Sequence, residues 1–536
     1  MHISSPPTTE GRTRRGKPLR VAIVGAGPVG AYVALRLAQH PELFTVSLHE
    51  ARPDPRTNPD QSASRSVNLA LSKRGLEAIQ TADPSLYSTL IAQAVPMHGR
   101  MVHINRQGED ITDSHAYGVR GEYINSISRS TLNNVLLDGA QGAGVPIGFD
   151  QKARLLDLQG GRLTFTSTAH PNQRPTVVDA DLVIGADGTF SAVRSAIQRK
   201  TRMDYEQSYI SECYMELTIP PGRKKEGGAE RTYPLLDPNQ LHIWPRHTMM
   251  LIALPNQDHS FTCTLFMPQE QFDSVNSPKE LEALFTEHFP HVIHLVGGID
   301  ALAAQYLSNP RGSLMTIQCR PWNWGGKAVV VGDAAHAMVP FYGQGVNCGL
   351  ESASILVDHL LAQPSHPNKA LLAYGKARME DTRAMQALAI HNHEEMRSHV
   401  RSWWYLTERW VERTLYSLGV PGIGPPLYTM VSFTSIPYAQ AMQRWKRQQW
   451  RIRLGLLLGL GLLLGGGIWA YRLVGGGSTV PALERVDKVQ SQSLLSLTRV
   501  KGWVGGAWRG VERVERGVAG GVKGCWTKVA GLWRGE

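Results

Sequence analysis

The fold is decided by residues 20–50, which read RVAIVGAGPVGAYVALRLAQHPELFTVSLHE. Residues 20–24 are an apolar run typical of a buried strand, and after a glycine-rich turn the apolar residues of 31–39 recur at helical spacing. Residues 45–49 predict a second strand, which ends at the acid Glu50. A strand, a helix and another strand in this order predict an α/β fold with a parallel sheet.

The turn Gly25-Ala26-Gly27-Pro28-Val29-Gly30 is a GxGxxG motif between that strand and that helix. Gly25 permits the tight turn, Gly27 lets a pyrophosphate approach the backbone, and Gly30 lets the helix pack on the strand. Glu50 stands twenty residues after Gly30, where an acid accepts hydrogen bonds from a ribose. In this context the motif predicts a dinucleotide site; the alternative is an ordinary glycine-rich turn.

Two later segments also run from a strand into a loop of small residues. Residues 183–188, VIGADG, end in an acid and precede Ser191 and Arg194 at a predicted helix start. Residues 328–331 are another β-branched run, and they lead into 332–347, GDAAHAMVPFYGQGVN. An acid at the strand end, glycines and a following helix start are suited to a flat, polar, partly anionic ligand. The alternative for Asp333 is a helix cap.

Composition indicates a multidomain protein of a reducing compartment. The chain has 536 residues, too many for one simple core. Its five cysteines form no CxxC or CxxxC pair, so we expect neither a disulfide framework nor a metal site. Much of the net charge of +11 lies near the C-terminus beside an apolar run, which favours an anionic membrane surface over nucleic acid.

A membrane-spanning helix is predicted over residues 454–471, which carry no charge and are bracketed by Arg453 and Arg472. At about 1.5 Å per residue this run spans roughly 27 Å, enough for a hydrocarbon core when the arginines extend to the headgroups. The alternative is a buried core helix. Five cations in residues 438–453 predict that the large domain faces the cytosol. GxxxG spacing within the run would let two copies pair as a homodimer.

Three segments taken together resemble the FAD signatures of group A flavoprotein monooxygenases: 25–30 with Glu50, GADGTFSAVR at 185–194, and 332–347. Four more are similar to the kynurenine 3-monooxygenase family of that group: RSVNLALS at 65–72, PMHGRM at 96–101, LHIWPR at 241–246 and LYTMVSF at 427–433. The resemblance implies non-covalent FAD, NADPH, O2, and hydroxylation of L-kynurenine at ring position 3 through a flavin C4a-hydroperoxide, in tryptophan degradation. It also implies an anchor in the outer mitochondrial membrane.

The resemblance assigns the pyrophosphate to the glycine turn, the AMP half to Glu50 and its neighbours, and the ribityl chain to Asp333. Backbone N–H groups after Gln344 would face the flavin edge, where negative charge develops on reduction. The FAD-binding residues implied in this way are Gly25, Gly27, Val29, Gly30, His49, Glu50, Ala51, Arg52, Ala70, Arg129, Leu155, Asp187, Asp333, Gly345, Val346 and Asn347.

For the substrate, the resemblance implies a carboxylate held by Arg100 and an aromatic ring walled by Phe341 with Tyr342. The substrate-binding residues implied are Arg100, Tyr117, Asn392, Tyr428, Phe341 and Glu395, the last for the ammonium group. The alternative is that these are ordinary hydrogen-bonded or surface residues. No protein general base is expected, because the substrate's own amino group activates the ring position.

The predicted architecture is a Rossmann-like FAD-binding domain with an inserted antiparallel β-sheet substrate domain, a helical C-terminal region and a C-terminal transmembrane helix. The expected regions are a disordered leader (1–18), the two FAD-binding parts (19–204 and 321–365), the substrate domain (205–320), a helical covering region (366–445), the anchor (446–475) and a basic Trp-rich tail (476–536).

Other functions remain open at this point. One is a flavin hydroxylase or epoxidase that acts on a membrane lipid or quinone, and such an enzyme has no need of Arg100. Another is a membrane-tethered FAD-binding scaffold without catalysis. A flavin halogenase is disfavoured, because Trp322-Asn323-Trp324 is followed by Gly325-Gly326 and not by Ile-Pro.

Overall fold

The computed structural model describes residues 17–57, 68–106, 109–118, 121–226, 229–398 and 403–475. Residues up to Leu454 form one compact unit, and a second unit begins at Gly455. The leader as far as residue 16, residues 65–67 of the RSVNLALS motif and the tail 476–536 lie outside the described residues.

A six-stranded sheet is built around the strand Leu19–Val24. This strand pairs in parallel with Phe44–His49 on one side and Leu182–Gly185 on the other. The last four residues of the central strand are buried, as its apolar sequence predicts. The strand order is Asn323–Trp324, Ala328–Val330, Leu182–Gly185, Leu19–Val24, Phe44–His49 and Ile147–Gly148. All pairs are parallel except the one between the first two strands of this order.

Helices Pro28–Ala38, Arg129–Gly142 and Gly345–Ala362 contribute most of the apolar side chains that cover this sheet. Pro28 occupies the first helical position, where its missing N–H costs no hydrogen bond. The strands and helices predicted around the glycine turn and the 332–347 segment are therefore confirmed, with boundaries that shift by up to three residues.

A seven-stranded sheet corrects one prediction. The sequence predicts an antiparallel sheet within residues 205–320, but two strands come from earlier in the chain, and one pair, Gly99–Arg106 with Gln240–Arg246, is parallel. The short strand Gly99–Arg106 has no local signal that places it in a sheet formed mainly 100 residues later. The order is Arg311–Arg320, Asp204–Ile219, Phe261–Pro268, Met249–Pro255, Gln240–Arg246, Gly99–Arg106 and Glu109–Ala116.

The two faces of this sheet pack against different partners. One face carries Met215, Leu251 and Leu265, which pack against four helices not predicted from the sequence: Gln269–Ser274, Pro278–His288, Pro290–Val296 and Ile299–Ser308. The other face carries Ile243 and Phe266, which pack against the 332–347 segment and the C-terminal helices. The sheet therefore separates a helical layer from the region where the motifs meet.

The remaining elements are smaller sheets and connecting helices. One three-stranded sheet comprises Asn68–Leu71, Ile124–Ser128 and Val95–Met97, and another comprises Thr176–Asp179, Arg162–Ser167 and Gln151–Asp157. The strands Gly222–Glu226 and Ala229–Tyr233 form a hairpin. The other helices are Lys73–Ala82, Pro84–Ala92, Ala192–Gln198, Asp333–His336, the 3-10 turn Pro340–Tyr342, Pro367–Ser398, Trp403–Ser417, Leu427–Phe433 and Tyr438–Gly475.

One helix in the described part of the chain, at residues 438–470, is long and apolar enough to cross a membrane, judged by length and composition. It includes residues 454–470 of the predicted segment 454–471. The side chains there are not covered by the unit to which they belong; for example, Leu462 and Leu463 are 77% and 76% exposed. A core helix would be buried, so the buried-helix alternative is not supported.

A buried ionic network joins three helices beneath the 332–347 segment. The guanidinium of Arg378, 1% exposed, lies 2.8 Å from Glu351 and 3.3 Å from Asp381. Glu351 also pairs with Arg74 at 2.6 Å, and Arg74 lies over the ring of Tyr438. Buried charges of this kind are tolerated only while each keeps its partner.

Replacing Arg378 should therefore destabilise the protein. In Arg378→Met, Asp381 keeps one backbone donor and Glu351 keeps Arg74 alone, so we expect a loss of about 3 kcal/mol in the free energy of unfolding. Urea denaturation followed by circular dichroism measures it. The matched control is Arg162→Met, which removes an exposed pair with Asp179 and should cost below about 1 kcal/mol. Equal losses in the two variants would contradict the assignment.

Candidate functional site

The glycine turn has the geometry that a bound pyrophosphate requires. Gly25 has φ +100°, and a Cβ there would lie 2.4 Å from the carbonyl oxygen of Ala186. A Cβ on Gly30 would lie 1.9 Å from the carbonyl oxygen of Gly25. At Gly27, by contrast, no atom lies within 4 Å of the Cβ position. Two glycines thus permit close packing, and the third faces open space where a ligand can approach.

Glu50 supports this turn. One carboxylate oxygen accepts the Ala26 N–H at 2.8 Å, and the other accepts the N–H and Nε–H of Arg52 at 3.0 and 2.8 Å. Burial alone would raise the pKa of Glu50, but the hydrogen bonds and charge of Arg52 outweigh it and lower the pKa. The side chain is therefore an ionised acceptor at neutral pH, next to the turn.

Asp333 lies on the wall of an internal recess. Its side chain is accessible to solvent, yet protein crowds around it on every side. Burial raises the pKa of Asp333, and the positive charge of Arg129, at the start of helix Arg129–Gly142, opposes part of that rise. No donor within the described residues hydrogen-bonds the carboxylate, so it is available to a hydroxyl-bearing ligand.

The loop after Tyr342 leads directly into the helix Gly345–Ala362. The fully buried Asn347 fastens this loop with its side chain: the amide oxygen accepts the Ser72 N–H at 2.9 Å, and the amide nitrogen donates to the carbonyls of Ala70 and Gly343 at 2.8 and 3.0 Å. Asn347 therefore joins the loop to the strand Asn68–Leu71. The exposed N–H groups of the helix start, at Gly345 and Val346, are left for an anionic or carbonyl acceptor.

Two predicted cofactor residues have other partners nearby. His49 stacks on Phe165 with ring centroids 4.3 Å apart and hydrogen-bonds Gln151 at 2.7 Å, and burial lowers its pKa. Leu155 lies on an outer three-stranded sheet with 62% of its surface exposed. The side chain of His49 is therefore engaged within the protein, whereas that of Leu155 is open to solvent. Ala51, next to Glu50, offers only a backbone whose carbonyl accepts from Thr168.

Asp187 and Val29 also have structural partners. The carboxylate of Asp187 accepts the Ser191 hydroxyl at 2.5 Å and the Ala192 N–H at 2.7 Å, which starts the helix Ala192–Gln198. Burial raises the pKa of Asp187 despite these bonds. Val29 packs against Gly332 and Gly349, where a Cβ would lie 3.2 and 2.8 Å from its methyl groups.

Two residues that link the motifs were not predicted as site residues. Arg194 donates to the carbonyl oxygens of Ala334 at 2.9 Å and Thr189 at 2.6 Å, so it ties the 185–194 segment to the 332–347 segment. Gln344 is 2% exposed and accepts the hydroxyl of Tyr438 at 3.2 Å. An arginine at a helix start and a glutamine between glycines are both visible in the sequence, but the distant partners that make the links, Ala334 and Tyr438, lie more than 90 residues away.

The predicted substrate residues meet at a second cluster. The guanidinium of Arg100 lies 4.2 Å from the ring centroid of Tyr428 and 5.3 Å from that of Tyr117. The rings of Tyr117 and Tyr428 stack at 5.4 Å, and Tyr342 stacks on Tyr428 at 5.5 Å. Arg100 belongs to the strand Gly99–Arg106, and Tyr428 belongs to the helix Leu427–Phe433. Residues more than 300 positions apart in the sequence therefore form one cationic, aromatic cluster.

Arg100 is a half-buried cation whose Nε–H is fully buried. Burial opposes its charge, but the nearby oxygens of Tyr428 and Tyr117 outweigh burial and raise the pKa of Arg100. Burial likewise raises the pKa of the Tyr117 and Tyr342 hydroxyls, which stay protonated and can donate. Throughout the described ranges no carboxylate pairs with Arg100, and its Nε–H is buried without an acceptor. Such a group indicates a place for an external anion.

The other three predicted substrate residues lie on two elements. Phe341 belongs to the 3-10 turn Pro340–Tyr342, and Asn392 and Glu395 belong to the helix Pro367–Ser398. Asn392 donates to the Phe341 carbonyl at 2.7 Å, so its side chain holds the loop backbone. The Phe341 ring stacks on His393 at 4.2 Å and tilts against Phe266 at 5.0 Å. Glu395 is already paired with Arg409 at 3.2 Å, so this geometry does not support its holding an ammonium group, which stays a prediction.

A metal centre finds no support in the described residues, since they contain no cluster of three His, Cys, Asp or Glu side chains that could hold an ion.

The family comparison identifies the class to which this fold and site belong. Residues 18–389 match the family described as FAD binding domain. A solved structure of 2-methyl-3-hydroxypyridine-5-carboxylic acid oxygenase aligns with a TM-score of 0.56 at 23% identity, over 72% of this chain and 94% of that one. A tetracycline destructase aligns with a TM-score of 0.54 at 15% identity, over 78% and 98%. The chain is thus an FAD-binding protein with the fold of flavin-dependent hydroxylases.

Sequence relatives show to which family within this class the chain belongs. A kynurenine 3-monooxygenase from Candida albicans is 42% identical over 83% of this chain and 94% of its own length. Those from Saccharomyces cerevisiae and Sus scrofa are 37% and 38% identical, over 85% and 80% of this chain and 98% and 87% of their own lengths. The chain belongs to the kynurenine 3-monooxygenase family.

The residues present fit FAD. Gly27 leaves room beside the backbone, Asp333 offers an unpaired carboxylate in an internal recess, and the helix start at Gly345 offers N–H donors. Arg129 supplies a positive charge near the same recess. Each feature suits a different part of a dinucleotide: pyrophosphate, polyol and ring edge.

Substitutions in the glycine turn should separate binding from folding. Gly27→Ala places a methyl group in the open space, so we expect a folded protein whose dissociation constant for FAD rises about tenfold, equivalent to 1.4 kcal/mol. Gly30→Ala forces the Gly25 backbone to move, so we expect little soluble protein. Flavin fluorescence titration and circular dichroism measure the two effects. Unchanged FAD affinity in Gly27→Ala would show that the turn does not contact the cofactor.

Proposed function

We propose that this protein hydroxylates L-kynurenine at ring position 3. The balanced reaction is L-kynurenine + NADPH + H⁺ + O2 → 3-hydroxy-L-kynurenine + NADP⁺ + H2O. FAD, reduced by NADPH, supplies O2 activation and transfer of one oxygen atom to the ring. Family membership and the match of residues 18–389 to the FAD binding domain support the reaction class.

Arg100 is the observation that carries the choice of substrate. Its side chain is half-buried with a buried, unsatisfied Nε–H, and its neighbours are phenols and not acids. A substrate carboxylate would complete this arrangement, with Tyr117 and Tyr428 as further hydroxyl donors. A neutral lipid or quinone would leave the charge of Arg100 unpaired and its buried Nε–H without an acceptor.

We assign the cofactor's parts as follows. The turn at Gly27 takes the pyrophosphate, Glu50 with the backbones of Ala51 and Arg52 takes the AMP half, and Asp333 takes the polyol chain. Asn347 acts mainly through its side chain, because that amide fixes the loop whose N–H groups face the ring edge. These roles follow from the sequence resemblance, and the open space at Gly27 and the unpaired carboxylate of Asp333 support them.

The chain's own contribution to catalysis is positioning and exclusion of water. Arg100 and the tyrosines hold one end of the substrate, and Phe341 with Tyr342 forms an aromatic wall for the other. Aligning the two reactants lowers the barrier without proton transfer by the protein. Because the amino group of kynurenine already activates the ring, no general base is assigned.

Removing the charge of Arg100 should abolish kynurenine use. In Arg100→Met we expect kcat/KM for L-kynurenine to fall at least about hundredfold, or about 2.7 kcal/mol, while bound FAD is retained. The assay follows NADPH oxidation and 3-hydroxykynurenine by mass, with Arg162→Met as the control. Unchanged kcat/KM in this variant would contradict the role of Arg100, and wild-type protein that binds FAD but forms no 3-hydroxykynurenine would favour a lipid or quinone substrate. Wild-type protein that is yellow but oxidises no NADPH with kynurenine would favour a non-catalytic scaffold.

We also propose that the protein is anchored in the mitochondrial outer membrane, with its catalytic domain on the cytosolic side. The exposed apolar helix at residues 438–470 and the cations in residues 438–453 support an anchor, and the sequence resemblance supports the compartment. Pairing of two copies through the glycine spacing of this helix stays a prediction.

Charges within the apolar helix should release the protein from membranes. We expect Leu458→Arg/Leu462→Arg, at about 3 kcal/mol per arginine, to move the protein from the carbonate-washed membrane pellet into the supernatant. Leu418→Arg, at a site of similar exposure outside the helix, should remain in the pellet. Retention of the double variant in the pellet would contradict a membrane-spanning role.

A further inference from the structure

Phe341 is held from three directions by residues of two other elements. The side chain of Asn392 donates to its carbonyl oxygen at 2.7 Å, and the next residue, His393, stacks on its ring with 4.2 Å between centroids and 26° between planes. Phe266, from the strand Phe261–Pro268, contacts the ring at 5.0 Å. The helix Pro367–Ser398 therefore holds both the backbone and the ring of Phe341.

His393 is fixed in turn by a buried acid. The Nε2 of His393 lies 3.6 Å from a carboxylate oxygen of Glu212, which is 3% exposed on the strand Asp204–Ile219. Burial alone would raise the pKa of Glu212, but its contacts with His393 and the Ser211 hydroxyl outweigh burial and lower the pKa to about 2. An ionised, buried carboxylate thus faces an imidazole whose ring covers Phe341.

A small open recess adjoins this arrangement, and its walls include Glu212, Met250, Phe266, Phe341 and His393. The His393 ring covers one face of the Phe341 ring where both residues line this recess. If His393 moved, that face would be open to the recess, and Phe341 would lose the contact that fixes its ring orientation.

We infer that Glu212 and His393 are a positioning pair that orients Phe341 and thereby couples NADPH consumption to hydroxylation. The inference rests on the proposed function, because it assigns Phe341 to the substrate wall. If the ring of kynurenine were misplaced or water entered, NADPH and O2 would still be consumed, but the balance would become NADPH + H⁺ + O2 → NADP⁺ + H2O2. The pair therefore controls the yield of hydroxylated product more than the rate of flavin reduction.

Three variants of the full-length FAD-bound protein test the pair. Glu212→Gln keeps the size of the side chain and removes its charge; His393→Phe keeps the stacked ring and removes the link to Glu212; Glu212→Gln/His393→Phe removes both partners. Glu287→Gln and His294→Phe, two exposed positions in the helical layer, are the matched controls. The measurements are hydroxylated product per NADPH, H2O2 by a peroxidase assay, and the anaerobic rate of flavin bleaching with L-kynurenine.

In both single variants we expect product per NADPH to fall about threefold or more, with matching H2O2 release, while flavin bleaching stays within about twofold of wild type. Because the two residues act as a unit, the double variant should be no worse than either single variant. Unchanged coupling in the single variants overturns the inference, as does an equal fall in coupling and bleaching, which indicates general damage. Wild-type protein that does not oxidise NADPH with kynurenine overturns the proposed function, and the inference with it.

Discussion

The side chain of Asn347 is the contact on which the arrangement of the site depends. Its amide donates to two carbonyl oxygens and accepts one N–H, so it joins the 332–347 segment to a strand some 275 residues earlier. Because Asn347 is fully buried, none of these bonds competes with water. The loop that we propose to present N–H groups to the flavin edge is thereby set at a constant distance from the first half of the nucleotide domain. The side chain of Asn347, predicted to bind the cofactor, instead positions the elements that we propose to contact it.

Two arginines illustrate how the same side chain can serve structure in one place and, as we propose, recognition in another. Arg378 has two acids within 3.3 Å, so its charge is neutralised inside the protein. Arg100 has only phenols around it, and its Nε–H has no acceptor. Both have a raised pKa, so the pKa alone does not separate them. The presence or absence of an internal anion does, and that difference is visible only once the tertiary contacts are known.

The nucleotide-binding elements could be predicted from the sequence because their signals are local. A glycine with φ +100° beside a buried strand and an acid at the end of the next strand lie within 31 residues. The seven-stranded sheet could not be predicted in this way, because Gly99 pairs with Gln240 and no local sequence pattern indicates that pairing. The same holds for the partner of Glu395: Arg409 lies on a different helix, and only packing brings the two together. The resemblance predicted which residues, Arg100, Tyr117 and Tyr428, would bind the substrate. Their contacts with one another are visible only in the fold.

The strand order of the nucleotide-binding sheet has a consequence for how the chain is made. Leu182–Gly185 takes its outer neighbour, Ala328–Val330, from beyond the entire span 186–327. At ribosomal speeds of about 5–20 residues per second, that neighbour arrives on the order of ten seconds later. During this interval the nascent sheet presents an unpaired apolar edge, which is a template for aggregation. A chaperone that covered this edge until residues 328–330 are made would therefore be expected to limit aggregation before the cofactor site can form.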